Sequence, residues 1–113
     1  MLNNVVLVGR LVKEPTIQET ENGYKKSYIT LAVSRSYKNQ DGEYETDFIS
    51  ILLWNKLAEH VCEYCKKGDV IGVKGIIETS RYEKDGETKY STDIVAQKVT
   101  FLSSKKEPIS EEE

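Results

Sequence analysis

Apolar residues alternate with polar ones over most of this chain, so the pattern predicts strands before anything else. "NNVVLVGRLV" is a β-rich run broken by Gly9, where a glycine marks a bulge or bend, and Pro15 ends it. After the turn signal Asn22-Gly23, "YKKSYITLAVSRSY" places Ile29, Leu31 and Val33 on one face and Tyr28, Thr30, Ala32 and Ser34 on the other. Asp41-Gly42 makes the next turn. The third strand, "TDFISILLWNK", puts Ile49, Ile51 and Leu53 on one face and Phe48, Ser50, Leu52 and Trp54 on the other. The first of these faces is core. The second brackets a serine with two large aromatics, and parity leaves open whether it is a second buried layer or an exposed surface.

At Asn55 the period lengthens to near 3.6, because Leu57, Val61, Tyr64 and Cys65 recur at helical spacing. Asn55 is the predicted N-cap, Lys66 and Lys67 suit the negative end of the helix dipole, and Gly68 suits a left-handed C-terminal turn. Two long strands follow, "DVIGVKGIIETSRYEK" and "TKYSTDIVAQKVTFL", joined at Asp85-Gly86. The order predicts an all-β domain with one helix over residues 1–103. Its architecture is a five-stranded Greek-key barrel, the OB-fold, with the helix between strands three and four. An α+β sandwich with the same element order is the alternative. Gly9, Gly72 and Gly75 favour the barrel, since strongly coiled strands bend where a side chain would clash. Strands one and three are apolar on both faces, so Val6, Val8 and Leu52 call for a cover that self-association would supply.

With 113 residues the chain has room for one core, and the ending, residues 104–113, reads as a short disordered acidic tail. The longest apolar runs, "VVLV" and "ILLW", are far below a membrane span, and "MLNNVVLVGRL" lacks the features of a signal peptide. A soluble, cytoplasmic protein without membrane contact is expected. The formal net charge is -3, and two lysines and four glutamates of the total lie in the tail, which leaves the body near neutral. Net charge therefore gives no support to a phosphate-binding role, and such a role must rest on where the charges lie.

Cys62 and Cys65 form a C-x-x-C pair with His60 nearby. On a helix the histidine points away from the cysteines, so the three do not converge on a metal, and the pair precedes a helix end rather than sitting at a helix start. Helix packing is the expected role of both thiols, and no metal or other cofactor is expected. There is also no glycine-rich phosphate loop and no nucleophile motif, and the acidic residues lack the spacing of a paired acid and base. An enzyme is not expected.

The aromatics carry more information. Tyr37 sits in "SRSYKNQDG" between Arg35 and Lys38, and Tyr82 sits in "TSRYEKDG" between Arg81 and Lys84, each before a hairpin turn. A planar ring stacks on any nucleobase while neighbouring cations neutralise phosphates, and each stacked base contributes about 1 to 3 kcal/mol. Duplexes hide their base faces, so this chemistry selects single strands. Taken singly, each tyrosine also fits an ordinary cross-strand neighbour on a half-exposed sheet.

Across nearly the whole body, "VVLVGRL", "LAVSRSYKN", "DFISILLWNKLAEHVCEYCKKGD" and "IIETSRYEKDGETKYSTDIVAQKV" resemble the bacterial single-stranded DNA-binding proteins. The strand ending in W-N-K-L-A-E followed by K-K-G is the most specific part. The resemblance implies base stacking by Tyr37, Phe48, Trp54 and Tyr82, and phosphate contacts from Lys38, Lys56 and Lys67, with Arg81 a further candidate. It implies a homotetramer, with a dimer as the smaller alternative, that binds and protects single-stranded DNA in replication, recombination or repair within the nucleoid. Glu78 and Ser80 stand where some relatives have a basic pair, and Gln18 where some have an arginine, so fewer phosphate contacts are expected. The ending "EPISEEE" is acidic but lacks the family's Pro-Phe tip, so the chain reads as a short form for which tail-mediated recruitment of replication or repair proteins is not implied. The competing function is an OB-fold interaction module, in a replication or phage complex, whose aromatic face holds protein.

Overall fold

Strands and helix follow the predicted alternation closely. The computed structural model describes residues 1–103; the predicted tail, 104–113, lies outside the described residues. The elements are β1 (Val5–Leu11), β2 (Gln18–Glu19), β3 (Lys25–Lys38), β4 (Tyr44–Trp54), α1 (Asn55–Tyr64), β5 (Val70–Lys84) and β6 (Glu87–Ser103). Strand order β1-β5-β6-β4-β3 closes through a further β1–β3 pairing, giving a five-stranded barrel. The two-residue β2 is an addition to the five expected strands. It pairs Gln18 with Lys26 and Glu19 with Lys25 across the Asn22-Gly23 turn. With so few residues and no apolar alternation, it left no strand signal in the sequence.

The barrel interior is the face that alternation predicted. Ile29, Leu31, Ile51 and Leu53 are fully buried with Leu11, Ile71 and Val73; α1 adds Ala58 and Val61, and Cys65 follows at its C-terminal cap. Ile49 and Val33 pack at its margin. Burial pushes the Cys65 thiol up to about 11, while Cys62 Sγ lies 3.7 Å from Ser27 Oγ, so Cys62 packs the helix onto β3 and Cys65 joins the core at the helix end.

Two of the three glycines named above are required where strands cross closely. A Cβ on Gly9 would meet the Ala32 carbonyl oxygen at 2.7 Å, and one on Gly75 would run into the Val95 carbonyl. At Gly72 the nearest atom would be Leu102 Cδ1 at 3.6 Å, so that position makes no such demand.

Four expectations need correction. The helix ends at Tyr64 with Cys65 as an extended cap, so Lys66, Lys67 and Gly68 lie beyond it. Asn55 does not cap the helix: Trp54 occupies the cap position without a side-chain hydrogen bond, and Asn55 takes a left-handed φ of 53°. Asparagine tolerates that conformation, and its side-chain oxygen accepts the Lys25 backbone N–H at 3.2 Å instead. Tyr64 does not face the core. It is exposed, with its ring centroid 6.1 Å from His60 and 6.4 Å from Phe101. Leu52 needs no external cover, because only 6% of it is exposed; its neighbours across the strands are Tyr28 on β3 and Val95 on β6. Val6 and Val8, by contrast, are exposed as predicted.

Candidate nucleic-acid interface

The outer face of β3 and β4 is assembled by antiparallel register. Lys26 lies opposite Trp54, Tyr28 opposite Leu52, Thr30 opposite Ser50, and Ala32 opposite Phe48. All these side chains share one side of the sheet. Phe48 is 68% exposed and Trp54 37%, so these two rings form a surface rather than a second buried layer. They stand about 20 Å apart along the strand, with the small polar pair Ser50 and Thr30 between them.

Trp54 is held where β4 becomes α1. The left-handed turn at Asn55 swings the chain into the helix, and the hydrogen bond from Lys25 fixes that turn to the first residue of β3. A second tie joins Lys25 Nζ to Glu59 of α1 at 2.8 Å, which raises the lysine pKa and lowers that of the carboxyl. The tryptophan ring is thus presented from a fixed junction.

The same face continues onto the long β5–β6 hairpin. The parallel β4–β6 pairing aligns Leu52 with Val95, so Val95, Asp93, Ser91 and Lys89 share Leu52's side of the sheet. Their β5 partners are Ile76, Glu78, Ser80 and Tyr82 in turn. Tyr82, Phe48 and Trp54 therefore lie on one continuous face. Beyond the barrel the hairpin is exposed on both sides and ends in a two-residue turn, where Asp85 and Gly86 both take positive φ, as a type I′ turn requires.

Parity separates the predicted cations. Lys84, two residues from Tyr82, lies on the tyrosine's side; Arg81 lies on the reverse side, opposite Tyr90. Arg35 is engaged by carboxylates. It donates from Nε and Nη2 to both Asp47 oxygens, at 3.0 and 2.9 Å, and its Nη1 is 3.1 Å from Glu45. The Asp47 carboxyl is held below its ordinary range by this guanidinium, whose own pKa is raised further in return. This cluster ties the base of the β3–β4 hairpin, where the register shifts between Ser34 and Lys38. Tyr37 is exposed within that shifted stretch.

Lys38 pairs with Tyr44 and its Nζ stands 5.7 Å from that ring. Lys56 is exposed in the first turn of α1, next to the Trp54 junction. Lys67 lies in the turn after α1, its backbone N–H donating to the Glu14 carboxylate at 2.9 Å. Sequence reasoning passed over two further exposed rings on these strands, Tyr28 and Tyr44. For Tyr28 a signal was present, since its parity matches that of Thr30 and Ala32. The same holds for Tyr44, which lies two alternations before Phe48 on β4.

Barrel and face together define a class: an OB-fold domain carrying an open surface of aromatic rings and cations, suited to an extended polymer with planar groups. The comparisons with known proteins agree. The family model of the single-strand binding protein family matches residues 2–102, and the chain belongs to that family. It is 48% identical over 103 residues to a single-stranded DNA-binding protein of Bacillus cereus, covering 90% of this chain and 61% of that one. Single-stranded DNA-binding protein 3 of Listeria innocua is 49% identical over 106 residues, covering 93% and 66%. Against these two relatives the chain spans less than two thirds of their length. Single-stranded DNA-binding protein B of Bacillus subtilis is similar in extent as well: 44% identity covers 93% of this chain and 94% of the relative. Among solved structures, a deletion mutant of the single-stranded DNA-binding protein from Thermus aquaticus superposes with a TM-score of 0.76 at 27% identity. That match covers 92% of this chain and 52% of the other. A Plasmodium falciparum complex with single-stranded DNA shares the fold with a TM-score of 0.76 at 24% identity, covering 91% and 96%.

Proposed function

We propose that this protein binds single-stranded DNA without sequence preference, protecting it during replication, recombination or repair, and that it is a binder rather than an enzyme. The observation that carries the reading is the single sheet face on which register aligns Tyr82, Phe48 and Trp54. Tyr37 joins these rings from the β3–β4 hairpin. Lys38, Lys56 and Lys84 supply cations at or beside the face, while Arg35 is held by Asp47 and Glu45 and Arg81 lies on the hairpin's reverse side; Lys67, in the turn after α1, is a further candidate. The names of the relatives, and the DNA bound in the Plasmodium structure, support the same ligand.

The protein works in the cytoplasm at the nucleoid, as a homotetramer. Support for assembly comes from β1, where Val6 and Val8 line an open groove of about 340 Å³ with Gly72, Lys74, Lys98 and Leu102. Light scattering with and without oligo(dT) tests this and gives the number of chains per strand.

The decisive experiment is a titration with oligo(dT). Trp54 is the only tryptophan, so its emission should fall on binding, and added salt should weaken binding with a log-log slope of about -0.7 per phosphate contacted. Trp54→Ala and Phe48→Ala should each weaken binding about 5- to 150-fold. Unchanged emission together with no gel shift at low salt rejects the reading. One observation favours a protein ligand instead: Glu78 and Asp93 lie directly opposite each other on the same face, where phosphates would be repelled. On that alternative, Tyr37→Ala and Tyr82→Ala leave DNA affinity intact and disrupt a partner complex.

A further inference from the structure

The gap of about 20 Å between Phe48 and Trp54 is not empty of rings. Tyr28 projects from β3 on the same side, opposite Leu52, and is 43% exposed. Trp54 is its diagonal neighbour, roughly 7 Å away between backbones. Lys26, directly opposite Trp54, places its Nζ 5.6 Å from the centre of the Tyr28 ring. The ammonium thus stands over the Tyr28 ring on a residue whose backbone faces Trp54, so one cation lies beside a pair of aromatic positions.

Resting on the DNA-binding reading above, we propose that Tyr28 is a fifth stacking platform, working in tandem with Trp54 and with Lys26 as their shared phosphate contact. The platform is firmly floored: Leu52, across the strand, is buried, and the ladder beneath it is the core pair Ile29 and Ile51. Partial burial, and after it the nearby Asp93 carboxylate, raise the phenol's pKa. The bland role for Tyr28 is a lid over Leu52. The two roles differ in what a non-aromatic side chain of similar size would do, because a lid needs only bulk and a platform needs a π-face.

Tyr28→Leu separates them. A platform predicts a loss of oligo(dT) affinity of about 5-fold or more with an unchanged salt slope, a Tm within a few degrees of the parent, and near-parent affinity for Tyr28→Phe. Lys26→Met should flatten the salt slope by about 0.7 while leaving the stacking intact. Affinity within twofold of the parent for Tyr28→Leu, with Trp54→Ala strongly impaired, overturns the proposal and leaves the DNA reading standing. If neither the parent nor any variant binds oligo(dT), both fail together. Should Tyr28→Leu unfold, ultraviolet crosslinking of the unaltered chain to a bromodeoxyuridine oligonucleotide decides. An adduct mapped to Tyr28 supports the platform, and adducts at Trp54 and Phe48 without one at Tyr28 overturn it.

Discussion

The β3–β4 half of the candidate surface and the β5–β6 half are built from the same alternating pattern, yet they differ in what lies behind them. Behind Trp54 and Phe48 is the barrel core, with Ile51 and Leu53 fully buried and the helix junction tied by Lys25. Behind Tyr82 lies only the hairpin's other side, carrying Arg81 and Tyr90, both open to solvent. One half is a platform fixed by packing; the other is an arm with two usable faces. Alternation means burial of one face only where a second layer exists to receive it.

The sharpest test of this contrast is stability. Gly75→Ala forces a methyl into the Val95 carbonyl where the arm leaves the barrel, and should destabilise the fold by about 1 to 3 kcal/mol in a urea melt. Tyr90→Ala, on the arm's reverse side, should change stability by less than about 0.5 kcal/mol. Comparable losses for the two would mean that the arm is packed after all.

A smaller effect separates the arm's faces. Lys84→Ala should flatten the salt dependence of oligo(dT) binding by about 0.7 in slope, and Arg81→Ala should leave it unchanged. The reverse outcome would place the strand on the Tyr90 side.

The smallest effect concerns the hairpin base on the platform half. Asp47's folded pKa is depressed by Arg35, so the pair contributes fully above the ordinary carboxylate value of 3.8, and its contribution is lost as pH falls through the lowered folded value. Asp47→Asn should therefore lower Tm at pH 7, and the difference from the parent should shrink toward pH 3. A difference that persists at pH 3 would assign the loss to packing instead.

The five principal strands, the helix and the inward residues were legible because alternation and helical period are local signals. What escaped depended on partners distant in sequence. Leu52 looked surplus until β6 was placed beside β4, and Arg35 looked available until β4 brought Asp47 and Glu45 alongside. Tyr64 matched the helix's apolar spacing, but Ala58, Val61 and Cys65 are the residues buried there and Tyr64 is exposed. The opposite facing of Arg81 and Tyr82 was a different kind of miss. Neighbours in a strand always point apart, so the two could have been separated from the sequence.

The parallel joint between β4 and β6 rests on two registered pairs, Ile51 with Ile94 and Leu52 with Val95, whereas the β5–β6 hairpin runs through fifteen. The aromatic surface straddles that short joint, with Phe48 and Trp54 on one side and Tyr82 on the other. A strand lying across all three rings would bridge the barrel where few of its own bonds do so. Ligand binding and barrel closure are then thermodynamically linked, and occupancy would act as a removable staple.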